Sequence, residues 1–194
     1  MADPSASLTL VEACWRDLVL GVVQGLTEFL PISSTAHLKV VPELLGWGDP
    51  GVSVTAAIQL GSIVAVIAYF RTDLSQVLRG VSRAFRYGQW REPEARLGFA
   101  MVVGTLPILV IGLGIKFAWS QGYEQSPLRS FPSIAIVSIV MALLLALAEQ
   151  VGARRKQLQV VSGRDGLLVG LGQALALLPG VSRSGSTLTA ALFD

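Results

Sequence analysis

Ionisable residues are scarce in this chain of 194 residues, since Asp, Glu, Lys and Arg together make up only 14% of it. An average soluble domain has about 25% of such residues, whereas 52% of this chain is hydrophobic. Cysteine and histidine occur once each, as Cys14 and His37, which excludes an internal disulfide and a zinc site of the usual Cys/His spacing. Any metal would have to be a hard cation held by oxygen ligands. The composition indicates an integral membrane protein with several helices.

The basic residues mark membrane orientation and give no reason to expect nucleic acid as a partner, because 15 of them leave a net charge of only +2. Six arginines lie in residues 71–96, which we interpret as a loop, and a second basic loop follows Glu149. The positive-inside rule predicts that both loops are cytoplasmic and that residues 39–51 and 120–130 are external. The N-terminus lacks a basic region before an apolar one, so we expect no removable signal peptide.

Three apolar stretches have about the length that a membrane-spanning helix requires, which is roughly 20 residues at 1.5 Å rise per residue. They are residues 52–70, 99–119 and 131–148. The sequence therefore predicts an all-α integral membrane protein, built as a multi-helix bundle.

Two further apolar stretches, residues 18–30 and 166–178, are too short to cross and are followed by Pro31 and Pro179. A turn rich in Ser, Thr and Gly and a second short helical run follow each of them. This pattern is typical of re-entrant, broken helices, which are tolerated at membrane depth where they are buried in protein or line a wet cavity. An ordinary helix kinked by proline is the alternative.

The two broken helices predict an internal repeat of opposite topology, in which two half-helix pairs build one site between them. The first pair would enter from outside and the second from inside. We expect a single membrane domain over residues 1–194, with repeat 1 at about 10–118 and repeat 2 from about 131, cut short at 194. A shift of 149 positions aligns Gly21 with Gly170, Gln24 with Gln173, Leu26 with Leu175, Ile32 with Val181, Ser33 with Ser182 and Thr35 with Ser184.

The first motif, Q-G-L-T-E-F-L-P-I-S-S-T-A-H at residues 24–37, places polar groups in an apolar surround. Charged groups at membrane depth cost roughly 2.5 to 3.5 kcal/mol each, so their clustering indicates a functional site. Gln24 and Glu28 share one helical face at i,i+4, and Ser34 and His37 share a face at i,i+3. A hydroxyl nucleophile needs a base within hydrogen-bond reach, and either His37 or Glu28 could serve. Alternatively, the hydroxyls only cap a helix and the histidine is a core residue.

The second motif, P-G-V-S-R-S-G-S-T at residues 179–187, has the properties of an anion-binding turn. Gly180 and Gly185 allow the backbone to bend and approach a ligand. A helix that begins near Ser184 would direct its free N–H groups at an anion, and Arg183 adds a permanently charged fork that suits phosphate oxygens. Alternatively, the arginine only marks orientation and the serines only form a turn.

Together with I-Q-L-G-S-I-V-A-V at residues 58–66, the two motifs resemble the undecaprenyl-diphosphate phosphatase family of bacterial membranes. The resemblance implies hydrolysis of a C55 lipid diphosphate to the monophosphate for peptidoglycan synthesis, sensitivity to antibiotics that sequester this lipid, and a site open to the outer face of the inner membrane. It also implies a divalent cation, Mg²⁺ or Ca²⁺. It assigns catalysis to Glu28, Ser34, His37 and Arg183, phosphate binding to Ser33, Ser182, Arg183, Ser184, Gly185 and Thr187, and the metal to Glu28 and Gln24.

The family pattern has Glu or Gln at the first position of its E/Q-x-x-x-E motif. This chain has Gln24 there, so Glu28 has to supply the carboxylate charge. Family members continue for several more helices, whereas this chain stops at Asp194, which suggests a truncated sequence. The partners expected are the polyprenyl diphosphate substrate and membrane lipids, with a homodimer as one option. A transporter or lipid flippase on the same inverted-repeat fold is the second hypothesis. A phosphatase with a histidine nucleophile is excluded, because that mechanism needs two histidines.

Overall fold

The computed structural model describes residues 9–124, 126–152 and 160–194, and the regular structure in this part of the chain is helical throughout. The eight α-helices of the described residues run in the order α1 Leu10–Phe29, α2 Ser34–Leu44, α3 Gly51–Tyr69, α4 Arg71–Tyr87, α5 Pro93–Glu124, α6 Phe131–Val151, α7 Gly163–Ala174 and α8 Arg183–Phe193. Short 3₁₀ turns, Pro127–Arg129 and Leu175–Leu177, precede α6 and follow α7. The expected all-α fold is confirmed.

Helices α5 and α6 are long and apolar enough to cross a membrane, over Pro93–Trp119 and Phe131–Val151. Only 17% of the most apolar window of α5 and 6% of that of α6 are buried inside the protein. Such apolar surfaces are stable in a hydrocarbon environment and costly in water. The protein is therefore a helical membrane protein.

Helix α3 satisfies the spanning criterion only together with α4, across a bend of 73° at Phe70. The interpretation of residues 71–96 as a loop was wrong, because most of this segment forms α4. Its apolar residues Val77, Val81 and Ala84 recur at helical spacing. Val77 and Val81 lie against Gly98 of α5, Ala84 is buried, and packing of that face stabilises the helix.

Both predicted helix breaks are present. Helix α1 begins at a capping box formed by Thr9 and Glu12, runs for 20 residues and ends where Leu30 turns extended before Pro31. Helix α7 ends in the 3₁₀ turn Leu175–Leu177, and Leu178 is extended before Pro179. After each break the chain turns back, so that α2 packs against α1 and α8 packs against α7.

The helices that follow the breaks correspond in position, since α2 begins at Ser34, α8 begins at Arg183, and each has 11 residues. The offset between them is 149 positions, as in the sequence alignment of the two halves. Equal helices after equally placed breaks are what a structural repeat predicts.

Glycines allow α7 to pack closely against α5. A Cβ added at Gly166 would lie 2.3 Å from the carbonyl oxygen of Ala100, and one at Gly170 would lie 2.3 Å from that of Gly104. Such contact between helix backbones is typical of small residues in membrane bundles. This packing fixes the second break relative to the long spanning helix.

Candidate active site

The two helix breaks meet, although more than 150 residues of chain separate the paired groups. The Ser184 hydroxyl donates to the carbonyl oxygen of Leu30 at 3.3 Å, across 154 positions of sequence. A Cβ added at Gly185 would lie 3.3 Å from the carbonyl oxygen of Pro31. The first turn of α8 therefore lies directly against the turn that ends α1.

A polar cavity of about 60 Å³ lies where the breaks meet. The first break contributes a carboxylate and hydroxyl groups, and the second contributes hydroxyl groups and a guanidinium. Its lining consists of Glu28, Ser33, Ser34, Thr35, Gln59, Ala176, Val181, Ser182, Arg183 and Ser184. The structure thus brings the two sequence motifs to one site.

Glu28 is the centre of the hydrogen bonds in this cavity. The Ser34 hydroxyl donates to its Oε2 at 2.5 Å, and the Gln24 amide donates to the same oxygen at 3.0 Å. The second bond confirms that Gln24 and Glu28 share a helical face. Because a hydroxyl that donates to a carboxylate is polarised toward its alkoxide, Ser34 is placed where it could act as a nucleophile with Glu28 as its base.

Gln59 supplies a third hydrogen bond to Glu28, since its side-chain amide donates to Oε1 at 3.2 Å. This residue belongs to α3, and no site role follows from its sequence pattern. One signal could have identified it, because Gln59 is a lone amide within the apolar residues 58–67. A polar side chain at such a position calls for a buried partner.

Two buried oxygen atoms of the first motif have no hydrogen-bond partner, Oε1 of Gln24 and Oγ of Ser33. The two residues are 1% and 3% exposed, respectively. Ser33 also has a φ of 65°, in the left-handed region that non-glycine residues rarely adopt. Strain and unsatisfied polar atoms together are characteristic of functional sites.

These oxygens are suitable ligands for a hard divalent cation. Mg²⁺ is commonly held by one or two carboxylates together with substrate phosphates, and Glu28 provides one carboxylate here. Ser33 lines the same cavity as Glu28, and Gln24 is hydrogen-bonded to Glu28 through its amide nitrogen. No cluster of three or more His, Cys, Asp or Glu side chains occurs in the described ranges.

The second break presents a helix N-terminus and a cation to the cavity. The Ser182 hydroxyl accepts from the Gly185 amide at 3.2 Å and pairs with the Ser184 hydroxyl at 3.0 Å. Arg183 is exposed at the first position of α8. Helix N-termini attract anions through unpaired N–H groups and the helix dipole, and a guanidinium adds a full charge.

Gly180 shapes the turn before this helix, with a φ of 96°. Its carbonyl oxygen accepts from the Ser138 hydroxyl of α6 at 2.9 Å. A Cβ at Gly180 would lie 2.6 Å from the carbonyl oxygen of Ile134, so no larger residue fits without movement. The sequence motif thus requires glycine here for both conformation and space.

Four predicted site residues are not in the cavity lining, namely Gln24, His37, Gly185 and Thr187, although Gln24 is hydrogen-bonded to Glu28. Nδ1 of His37 lies 2.9 Å from the Ser33 carbonyl oxygen, within its own helix. Thr187 donates to the carbonyl oxygen of Arg183 at 2.7 Å and lines a separate cavity between α5 and α7. Gly185 contributes close packing against Pro31. The structure therefore favours Glu28 over His37 as the partner of Ser34, and the roles assigned to all of the predicted site residues stay predictions.

These features define a class of helical membrane proteins in which two broken helices meet at one site. That site contains a carboxylate, hydroxyl groups and a guanidinium. Residues 17–194 match the family described as Bacitracin resistance protein BacA, and the chain belongs to that family. It is 96% identical over 194 residues to the undecaprenyl-diphosphatase of Synechococcus sp. (strain CC9605), covering all of this chain and 68% of that protein. It is 81% identical to the undecaprenyl-diphosphatase of Parasynechococcus marenigrum (strain WH8102), with the same coverage. The sequence resemblance is confirmed.

Proposed function

We propose that this protein hydrolyses undecaprenyl diphosphate to undecaprenyl phosphate and inorganic phosphate, and so recycles a lipid carrier of cell-wall synthesis. Family membership and the name shared by the similar proteins support this activity. The structural observation that carries it is the cavity in which the Glu28–Ser34 pair and Arg183 line the same space. No salt bridge joins Arg183 to Glu28 in the described part of the chain, so the guanidinium can serve an anion.

In the proposed mechanism, Arg183 and the first-turn N–H groups of α8 hold the terminal phosphate of the substrate. Ser34 Oγ attacks its phosphorus while Glu28 takes the hydroxyl proton. The bond to the bridging oxygen breaks, and undecaprenyl phosphate leaves. Water then cleaves the phosphoserine and releases inorganic phosphate. In an alternative form of this mechanism, water attacks the phosphorus directly and Ser34 orients it. Catalysis of this kind depends mainly on positioning and electrostatics.

We further propose that a divalent cation, Mg²⁺ or Ca²⁺, is held by Glu28 with the Gln24 and Ser33 oxygens. The buried, unpartnered atoms Gln24 Oε1 and Ser33 Oγ support this assignment. The cation would offset the charge of the diphosphate. Glu28 would then have two roles, because its carboxylate has two oxygens: it would bind the cation and accept the proton of the Ser34 hydroxyl.

The proposed location is the bacterial inner membrane, with the cavity reached from the outer face. The arginine bias of residues 71–96 supports this orientation, because it assigns α4 to the cytoplasm. The membrane character follows from α5 and α6. A homodimer stays a prediction, which the mass of the protein in detergent would test.

The alternative function, a transporter or lipid flippase, is not favoured by the relatives, which are named as diphosphatases. It predicts movement of lipid without release of phosphate. Proteoliposomes assayed for both quantities separate the two functions.

The test is phosphate release from undecaprenyl diphosphate by the purified protein in detergent. Arg183→Ala should lower kcat/KM by about 10²- to 10³-fold, as expected for loss of a group that stabilises developing charge. Glu28→Gln should lower kcat by about 10²- to 10⁴-fold through loss of the base. Arg164→Ala and Glu43→Gln, exposed residues outside the cavity lining, are the matched controls. Near-normal turnover of both site variants would overturn the proposal.

A further inference from the structure

Helix α4 has an exposed apolar strip on one side. Leu78 is 69% exposed and Phe85 is 74% exposed, and their separation of seven positions, about two helical turns, places both side chains on the same face. Trp90 extends the strip, because its ring contacts that of Phe85 edge to face with centroids 4.9 Å apart. In water, this strip would be costly to expose.

A row of arginines lies beside the strip. Arg79 and Arg86 follow Leu78 and Phe85 by one position each, so their row is rotated by about 100° from the apolar strip. Both are exposed, and Asp73 is the single acidic residue within α4. In hydrocarbon, this row would be costly to bury.

The opposite face of α4 is fixed to the start of the spanning helix α5. A Cβ added at Gly80 would lie 2.5 Å from that of Glu94, and one at Gly98 would lie 2.4 Å from a methyl group of Val81. Arg83 donates to Glu92 at 2.9 and 2.7 Å and closes the turn between the two helices. Together with the 73° bend after α3, this packing places α4 at the end of two apolar helices and turns it away from the direction of α3.

We infer that α4 is an interfacial helix whose Arg79 and Arg86 bind anionic phospholipid headgroups while Leu78, Phe85 and Trp90 enter the acyl boundary. The headgroup boundary suits an apolar strip and a cationic row on adjacent faces, because it offers acyl chains to one and charged headgroups to the other. Positive charge selects anionic over zwitterionic lipid, and the cytoplasmic leaflet carries the anionic surface. This inference is independent of the proposed chemistry, which takes place in a different part of the fold.

The test uses quenching of Trp90 fluorescence in vesicles that contain phospholipids brominated along the acyl chains. The Trp90→Phe variant isolates the Trp90 signal by subtraction from the other three tryptophans. Brominated phosphatidylglycerol should quench Trp90 more than brominated phosphatidylcholine at equal mole fraction. Arg79→Gln and Arg86→Gln should each lower the preference for phosphatidylglycerol about fivefold, and the double variant should abolish it.

Lys116→Gln is the control for loss of one positive charge, because Lys116 is exposed on α5 and lies 23 residues after Pro93, roughly 35 Å further along that helix. It should keep the preference, and raised salt should weaken the preference in the unaltered protein. Leu78→Gln should reduce quenching by both lipids. Equal quenching by the two lipids in the unaltered protein would overturn the role of the arginines. Quenching by neither lipid would show that α4 faces water or a soluble protein, and would overturn the inference as a whole.

Discussion

The side-chain amide of Gln59 donates to Oε1 of Glu28 at 3.2 Å, across 31 positions of sequence. It joins α3 to the first helix break and leaves Oε2 of Glu28 for the Ser34 hydroxyl. A carboxylate held from both sides cannot rotate away from its nucleophile. We therefore assign Gln59 a positioning role in the proposed reaction.

Gln59→Leu should lower kcat by roughly 10- to 100-fold, because a hydrogen bond to a charged group contributes about 1.5 to 3 kcal/mol. KM should change less, since Gln59 contacts Glu28 and not the phosphate. Phosphate release across a series of substrate concentrations measures kcat and KM separately. Gln76→Leu, at an exposed position of α4, is the control. An unchanged kcat in Gln59→Leu, or a rise in KM as large as the loss of kcat, would contradict a positioning role.

Gly180→Ala should destabilise the protein, by about 1 to 3 kcal/mol from backbone strain alone, because its φ is 96° and the new methyl group would meet the Ile134 carbonyl. Thermal unfolding in detergent measures the change. Gly21→Ala is the control, since Gly21 is helical and nothing lies within 4 Å of the added Cβ. That variant should be unchanged or more stable, by up to about 1 kcal/mol. Equal stability of the two variants would contradict the described turn.

Two substitutions at Ser33 distinguish the effect of backbone strain from the effect of the side-chain hydroxyl. Ser33→Gly and Ser33→Ala both remove the buried hydroxyl, so both should lose activity if Oγ holds a ligand in the site. The glycine variant should nevertheless be more stable than the alanine variant by about 1 kcal/mol, because only glycine adopts a φ of 65° without strain. Activity and unfolding measured on the same samples test both points. Full activity of Ser33→Ala would show that the Ser33 hydroxyl has no role in the site.

The orientation proposal predicts opposite accessibility for two single cysteines in a Cys14→Ser background. Leu45→Cys, at the end of α2, should react with a membrane-impermeant maleimide added outside intact cells. Arg164→Cys, in the first turn of α7, should react only after the membrane is opened. Labelling of both positions from outside would contradict the proposed orientation and the inverted entry of the two broken helices.

The sequence predicted the features that depend on local pattern. The breaks before Pro31 and Pro179 follow from the restriction that proline places on the preceding residue, and the Gln24–Glu28 contact follows from helical spacing. The base for Ser34 was left open between Glu28 and His37, because spacing along a helix does not show what faces a hydroxyl across a turn. The structure pairs Ser34 with Glu28.

The features that sequence analysis missed depend on tertiary packing. Gln59 reaches Glu28 only because α3 packs against α1, and no local pattern encodes that contact. Helix α4 was interpreted as a loop because its arginines dominated the orientation argument. Its apolar period was a usable signal, since Val77, Val81 and Ala84 recur at helical spacing.

Because Leu30 and Ser184 are 154 positions apart, the ribosome makes the two halves of the site at different times. At about 5 to 20 residues per second, a ribosome needs roughly 8 to 30 seconds to make the chain between them. During that interval, the polar first break is in or near the membrane without the helix start that covers it. Insertion therefore has to keep Glu28 and its neighbours hydrated, or sheltered by other proteins, until the second break arrives.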